Sequence, residues 1–304
     1  METQNLTTFV LYFKSLFFHL LMKIKAVLFF FLLITITGFS QDVSKAPSNG
    51  KKGEFFMYWG WNWSWYSKSD IHFEGEGYDF ELKSVAAQDR QTPFSLNKYA
   101  NPANITIPQY NFRIGYFFND HYNVSFGMDH MKYVVEQGQS VKINGFIEGS
   151  GSEYDGIYNN DDIVIQEGFL EFEHTDGLNY ANVEIRRFDE VHYFSEKVQL
   201  NLFAGAGIGG LYPKTNTTLL NKDRYDEFHL AGFGLHALIG ANFTFFKYFF
   251  IQTEFKGGYI NMQDIRTTEF KTDSASQQFF FAQYNFNFGA SYPLFDSKNK
   301  KEKH

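Results

Sequence analysis

The stretch "SKSDIH", residues 67–72, sets a hydroxyl, a carboxylate and an imidazole within six positions, as Ser67, Asp70 and His72. An imidazole oriented by a carboxylate beside a hydroxyl is the grouping that hydrolysis and acyl transfer require. A second cluster, "EFEHTDG", offers Glu171, Glu173, His174 and Asp176 as ligands for a cation. Its competing reading is a turn, because Asp-Gly is a hairpin signal and "FLEF" and "LNYANVEI" on either side resemble strand arms. The acidic, Asn-rich run "SGSEYDGIYNNDDI", residues 150–163, lacks the spacing of an EF-hand loop and is expected to be a solvated surface loop. No metal site and no cofactor are expected. The remaining charges that could act together are scattered: Arg113, Arg186 and Lys256 against Asp129, Glu184 and Glu254. What they do depends on the elements that carry them.

Those elements are strands. In "FFMYWGWNWSWYSKS", residues 55–69, all four tryptophans (Trp59, Trp61, Trp63, Trp65) fall at every second position, the spacing that puts side chains on one face of a strand. The other face reads Phe56, Tyr58, Gly60, Asn62, Ser64 and Tyr66. Four indoles in a row would be a wasteful core, so a large apolar environment is the expected neighbour. The same alternation of bulky apolar with small or hydrogen-bonding residues recurs over 105–118, 122–137, 179–193, 197–212, 229–245 and 249–261. It ends in a strand with Phe280, Ala282, Tyr284, Phe286, Phe288, Ala290, Tyr292 and Leu294 on one face. Connections 119–121, 195–196 and 246–248 are short; 75–104, 138–178, 213–228 and 262–278 are long. Long strands, apolar outside and polar inside, joined alternately by short turns and long loops, predict a transmembrane antiparallel up-and-down β-barrel. Eight strands are expected, with ten as the alternative if "YDFELKSVAA" and "DIVIQEGFLEFEH" pair into the wall. A soluble sandwich would hide its apolar side and would not need so uniformly aromatic a face.

Composition agrees. Among 304 residues, 20% are aromatic, none is cysteine, and the formal charge is −7. This excludes a disulfide framework or thiolate chemistry and argues against a nucleic-acid partner. The "MKIK" run from Met22, the apolar "AVLFFFLLITIT" (26–37) and the small residues of "GFS" have the form of a secretory signal with cleavage after Ser40, and the apolar run is too short to span a bilayer. The expected organisation is 1–40 as an extension plus signal, 41–53 as a periplasmic linker, 54–295 as the barrel and 296–304 as a polar tail.

Short turns fix register, and with it the lumen. Asn111 is expected opposite Asp129 with Arg113 diagonal to Asp129 in a salt bridge, and Glu184 and Arg186 opposite Gly207 and Gly205. Three charges of each sign in a barrel just wide enough for its own side chains predict a hydrogen-bonded plug; a conducting path would favour one sign. Asp70 and His72 are expected on the inward face above the membrane, where a lipid hydrolase or acyltransferase would place them. Trp59, Trp61, Trp63, Trp65, Tyr284, Phe286, Phe288 and Tyr292 are expected to face lipid, with the tryptophans rising from the lower interface into the hydrocarbon band.

The motifs "MKIKAVLFFFLLITITGFS", "VQLNLFAGAGIGGLY", "AGFGLHALIGANFTFF" and "FFFAQYNFNFGASYPLF" resemble the small outer-membrane β-barrels of Gram-negative bacteria, of the OmpX and OmpA membrane-domain type. The resemblance implies an outer-membrane location and a last strand read by the barrel-assembly machinery through Tyr292 and Phe295, although the tail "DSKNKKEKH" departs from the usual ending. It implies contact with membrane lipid and lipopolysaccharide, and an extracellular ligand met by loops 75–104 and 138–178. The expected role is structural or surface-interacting rather than enzymatic. A narrow, porin-like channel or solute carrier, or a lipid-modifying enzyme at the rim, are the alternatives.

Overall fold

In the computed structural model, which describes residues 50–101 and 103–294, strand follows strand in chain order. They are β1 (Glu54–Tyr66), β2 (Ser69–Gly75), β3 (Tyr78–Val85), β4 (Ala87–Gln88), β5 (Tyr110–Phe117), β6 (Tyr122–Val135), β7 (Ser140–Ile147) and β8 (Gly156–Val164). Then come β9 (Leu170–Ser195), β10 (Val198–Leu211), β11 (Lys214–Leu219), β12 (Tyr225–Phe228), β13 (Gly232–Phe245), β14 (Phe249–Arg266) and β15 (Ser274–Pro293). One short helix, α1 (Leu96–Tyr99), interrupts them, started by the Ser95 side chain accepting from the Lys98 N–H. The expected signal segment, linker residues 41–49, Phe295 and the polar tail lie outside the described residues.

The wall runs β1-β5-β6-β9-β10-β13-β14-β15, every pair antiparallel, and it closes because β1 also pairs with β15 from Glu54↔Pro293 to Tyr66↔Phe281. The ring therefore contains eight strands, and all-β up-and-down closure leaves it without an edge. Phe117 to Tyr122, Ser195 to Val198 and Phe245 to Phe249 are tight turns at one end, here the lower end. In the last of these, Phe246 and Lys247 both adopt positive φ (52° and 72°), the handedness that suits a tight hairpin.

The outer surface of the wall is apolar where the alternation requires it. Trp65 is 57% exposed and Ile239 64% exposed, with Phe126, Ile185, Phe255 and Phe286 also outward. A closed barrel that turns Trp, Phe, Ile and Leu outward and Asn, Gln, Arg and Glu inward is a transmembrane β-barrel, since no aqueous solvent would select that inversion. Trp59 sits against Phe288 and Trp61, while Trp65 pairs with Ala282, one step below the rim at Tyr66↔Phe281. The tryptophan stripe thus climbs as far as the upper rim.

Above the rim the long connections carry much β-structure. β2 continues β1 along the top of β15, and β3, β7 and β8 extend that sheet; β4 joins β6, while β11 joins β9 and β12. The candidate extra wall strands lie here: "YDFELKSV" is β3, and "DIV" and "LEFEH" fall in β8 and the upper part of β9. Their apolar residues turn inward. Ile71, Phe73, Phe80, Leu82, Tyr133, Ile143, Phe172 and Phe279 belong to one buried cluster, while Asp79, Glu81 and Lys83 face out. A strand with charges outside cannot face hydrocarbon, so the segment leaves the wall and forms a water-facing cap. The run 150–163 is a surface loop only as far as Asp155; from Gly156 onward it is the exposed strand β8.

β5 is short and stops at Tyr110, opposite Trp61 and His130. The gap left above it between β1 and β6 is filled by residues 89–109. Asp89 accepts from the Ser64 N–H (2.8 Å) and from Gln109 (2.7 Å), Gln91 donates to the Asn62 carbonyl (3.3 Å), and the Tyr66 hydroxyl crosses to the Lys132 carbonyl (3.0 Å). Tyr99 of α1 lies against Trp61 at 5.7 Å.

Candidate functional site

Inward positions of seven wall strands meet in the middle of the lumen. Asn111 does lie opposite Asp129, and Glu184 and Arg186 lie opposite Gly207 and Gly205. The glycines make room: a Cβ on Gly207 would stand 2.7 Å from Glu184 Cγ, and one on Gly205 would stand 2.9 Å from Arg186 Cγ. Gly127, opposite Arg113, does the same, since its Cβ would meet the guanidinium carbon at 2.8 Å.

Glu184 is the hub. It accepts from Arg113 (2.7 Å), Arg186 (2.6 Å), Lys256 (3.1 Å) and His236 (2.8 Å). Arg186 also reaches Glu254 at 2.9 Å, and Lys256 reaches Asp129 at 2.5 Å. All six charged side chains are fully buried. Burying charges at this depth is tolerable only because each is paired with an opposite charge and further hydrogen bonds support the pairs. Tyr58 accepts from Arg113 (3.0 Å) and Arg186 (2.8 Å), and Asn285 and Gln252 donate to Glu254 (2.7 and 3.1 Å). The expected Arg113–Asp129 salt bridge is not formed. Arg113 is drawn across Gly127 to Asn182 and Glu184, and Lys256 takes Asp129 from the far side of the lumen.

Three members escaped the sequence reading of this network: Tyr58, Tyr180 and His236. A carboxylate only accepts, so His236 Nε2–H donates to Glu184 and, in a neutral ring, Nδ1 accepts from the Tyr180 hydroxyl at 2.9 Å. The available signal was glycine: His236 has Gly207 on one neighbouring strand and Gly258 on the other, space that only an inward long side chain would need.

Below the ions the lumen is floored by Phe56, Phe117, Phe188, Phe203 and Phe250, with ring centroids 5.6 Å apart for Phe56–Phe117 and 4.7 Å for Phe188–Phe203. Arg186 lies 5.3 Å from the Phe203 ring, joining the two levels. Above the ions, Tyr180, Phe281 and Ile260 begin the apolar core of the cap.

The rim cluster does not assemble. β1 turns its even-numbered residues inward and β2 its odd ones, so Asp70 and His72 point outward, contrary to expectation, while Ser69, Ile71 and Phe73 point in. The cause is a one-residue slip against β15, which separates Tyr66↔Phe281 from Ile71↔Gln277. Asp70 is held by Lys83 (3.0 Å) and the Ser84 N–H (2.8 Å), His72 by Asp79 (2.7 Å), and Ser67 bonds the Phe280 N–H (3.0 Å). Partial burial pushes the Asp70 carboxyl up, but the Ser84 and Lys83 bonds outweigh it and hold the group below its ordinary range.

The second cluster is split by the same logic. Asp176-Gly177 is not a hairpin turn: β9 runs straight through it, with Gly177 at φ +127° and a bulge against β6. Glu171 and Glu173 face outward and His174 inward, and Asp176 pairs with Lys214 at 3.3 Å. His174 lies tilted against Tyr133 and edge-on to Phe172, Gln277 donates to its Nε2 at 3.1 Å, and its Nδ1–H therefore donates to Thr215 at 2.9 Å. Burial pushes its pKa down to about 3.

The outward aromatics expected to face lipid, Tyr284, Phe286, Phe288 and Tyr292, all stand on the outer surface of β15, and Tyr292 stacks on Tyr248.

The fold and its lumen define a class: a closed transmembrane β-barrel of the outer-membrane type, filled with its own side chains and crowned by a folded β-cap. No protein-family model and no curated protein matches the chain. Among solved structures it is similar to Ail of Yersinia pestis, in complex with a heparin analogue (11% identity, 79% of this chain and 99% of that one, TM-score 0.30). It is similar also to OprG of Pseudomonas aeruginosa (10%, 83% and 99%, TM-score 0.37) and to the outer-membrane protease OmpT of Escherichia coli (11%, 84% and 99%, TM-score 0.32). The barrel is defined by its own strand pairing, closed between β1 and β15.

Proposed function

We propose that the protein is a non-conducting integral outer-membrane barrel whose lower turns face the periplasm and whose cap is an extracellular interaction module. The observation that carries this reading is the filling of the lumen at three successive levels: aromatic floor, ion network and apolar cap core. A side-chain-packed barrel of eight strands leaves no water path, and a balanced set of charges selects neither cations nor anions. Function then belongs to the outer surface, where a rigid scaffold presents variable segments to partners. Membrane lipid and lipopolysaccharide are the neighbours of the tryptophan-bearing wall, and the barrel-assembly machinery is the partner implied by the aromatic last strand. The test is conductance of the refolded protein in planar bilayers: a flat baseline across both voltage signs is expected, and discrete steps would sink the reading.

A second reading, a narrow channel, is favoured by one feature. Gln283, Asn287, Asn285 and Asn111 each carry buried side-chain atoms with no protein partner, and three of them follow one another along the inner face of β15. Such a row could pass water or a small solute beside the ion network. The same bilayer recording, repeated with Gln283→Leu, separates the two.

A further inference from the structure

Two patches of large apolar side chains stand at the base of the cap, nearly opposite one another around the barrel. The first belongs to residues 89–109, which fill the gap between β1 and β6. Phe94 is 76% exposed and Leu96 73%, with Ile107 exposed beside them in the same segment. That segment is held against outward side chains of both neighbouring strands. Lys132, an outward residue of β6, donates from Nζ to Thr92 Oγ1 (2.9 Å) and to the Ile107 carbonyl (3.0 Å), and Tyr99 lies against Trp61 of β1. The helix α1 buries none of its own residues in the protein.

The second patch tops β10 and β13. Tyr212 takes the next outward position after Ile208 and Gly210 of β10, and Phe228 stacks on it with ring centroids 5.9 Å apart and planes within 7° of parallel. Leu230, 61% exposed, leans over Gly210, where a Cβ would meet its Cδ1 at 3.2 Å. Beside them Lys214 lies 5.9 Å from the Phe228 ring and pairs with Asp176 (3.3 Å) and Asp226 (3.2 Å), so charged groups border the patch. In the ring order β1-β5-β6-β9-β10-β13-β14-β15, the first patch sits over β5 and the second over β10 and β13, across the barrel.

A lone exposed apolar side chain needs no explanation, but an apolar surface that continues from one element to the next does. Phe94 lies 5.2 Å from Tyr99, Tyr99 5.7 Å from Trp61, and Trp61 5.6 Å from Phe288, a row of rings running from the panel onto the lipid-facing wall. Across the barrel, Phe228, Tyr212 and Leu230 run onto Ile208 and Leu235, which are exposed on the wall below. The surface that meets hydrocarbon on the wall therefore extends onto both patches. Elsewhere the cap ends that contact at once, as β3 does with Asp79, Glu81 and Lys83 on its outer face. Each patch also holds side chains suited to the boundary between acyl chains and headgroups: a tyrosine with an apolar body and a polar tip (Tyr99, Tyr212), and a lysine one or two residues away in the chain (Lys98, Lys214).

We propose that both patches insert into the membrane leaflet on the cap side, among the upper parts of its acyl chains, so that the cap is seated on lipid at two opposite points. The partner is the lipid surface itself. Contact at one point would let the barrel rock about it, and a second contact across the diameter opposes that motion. The segment 89–109, which loop length alone marks as a place to meet a soluble ligand, is then a membrane contact. The inference goes beyond the non-conducting reading and does not depend on it, because it concerns the outer rim and not the lumen.

The chain has no cysteine, so a single introduced thiol carries a single nitrobenzoxadiazole label. The full chain is refolded into phosphatidylcholine vesicles with and without lipid that bears a nitroxide on its acyl chain. The label is placed in turn by Leu96→Cys and Leu230→Cys in the two patches, by Ile239→Cys on the wall and by Ile157→Cys on β8. All four side chains are exposed, and heat-modifiable gel migration checks that each variant is folded. Phe94→Cys and Phe228→Cys give a second position in each patch should the first not fold. Nitroxide quenches only at short range, so loss of emission is expected at Leu96 and Leu230 as at Ile239, and none at Ile157. Iodide in the water is expected to give the reverse order. Lipid quenching at either patch no greater than at Ile157 overturns the two-point seat, whatever Ile239 shows. If Ile239 is also unquenched, the membrane placement of the wall falls with it. Conductance of the same vesicles tests the lumen separately: a silent barrel with unquenched patches loses the seat alone, and a conducting barrel with quenched patches keeps the seat and loses the non-conducting reading.

Discussion

Glu184 holds four donors at once, so its charge is what makes three cations tolerable inside the wall. Glu184→Gln keeps the shape and removes the charge. Arg113, Arg186 and Lys256 would then share two carboxylates, and removing one partner of a buried ionic set typically costs about 3–5 kcal/mol. A urea-unfolding midpoint in lipid vesicles should fall accordingly, while Asp79→Asn on the outer face of β3 should leave it in place. His174 makes a prediction about acid. Its imidazole titrates near 6.5 when unfolded and is pushed down to about 3 by burial in the cap. Above pH 6.5 both states are neutral and the residue adds no pH dependence. Between about 6.5 and 3 only the unfolded chain takes up the proton, so stability falls as pH falls, by at most about 1.4 kcal/mol per pH unit. Unfolding midpoints from pH 7 to pH 4 should show this slope, and His174→Gln should flatten it. The six lumen charges were legible as inward residues because alternation sorts faces. Their partners were not: which residue meets which across the lumen depends on strand tilt and stagger, so Lys256 rather than Arg113 reaches Asp129.

At the scale of elements, alternation tells which residues share a face and is silent on which face meets lipid. The wall strands were legible because their apolar set is large and aromatic while the other set is small or amide-bearing, as in β15. β3 alternates equally well, but its second set is Asp79, Glu81 and Lys83, and the structure turns that set to water. The bulges near Ser67 and Asp176 are a second blind spot, since one extra residue reverses every face beyond it. That is why Asp70 and His72 point out. Two exposed isoleucines test the boundary between wall and cap. Ile239 on β13 is 64% exposed and Ile157 on β8 is 90% exposed, yet only the first should border hydrocarbon. Ile239→Lys should cost up to about 2–4 kcal/mol in vesicles, the range for a lysine at mid-bilayer. Ile157→Lys should change stability by less than about 0.5 kcal/mol. Equal effects would mean that wall and cap share one solvent.

For the whole molecule, an eight-stranded wall was legible from eight alternating segments joined by short turns and long loops, while the cap was legible only in part: "YDFELKSVAA" and "DIVIQEGFLEFEH" read as strands, but alternation could not say that they leave the wall. The closure has a further consequence, in time rather than space. Seven of the eight joints link strands that come one after another among the wall strands, so each can form soon after its second strand is available. The eighth, between β1 and β15, is sealed by contacts such as Phe280 N–H to Ser67 Oγ, whose residues stand 213 apart in the chain. Loop-closure entropy makes such a distant joint the slowest to find, so the sheet should exist for a while as a curled, open ribbon. During that interval β1 and β15 expose two rows of unpaired amides, each a template for a strand from another molecule. The barrel is most open to wrong company just before its last seam closes.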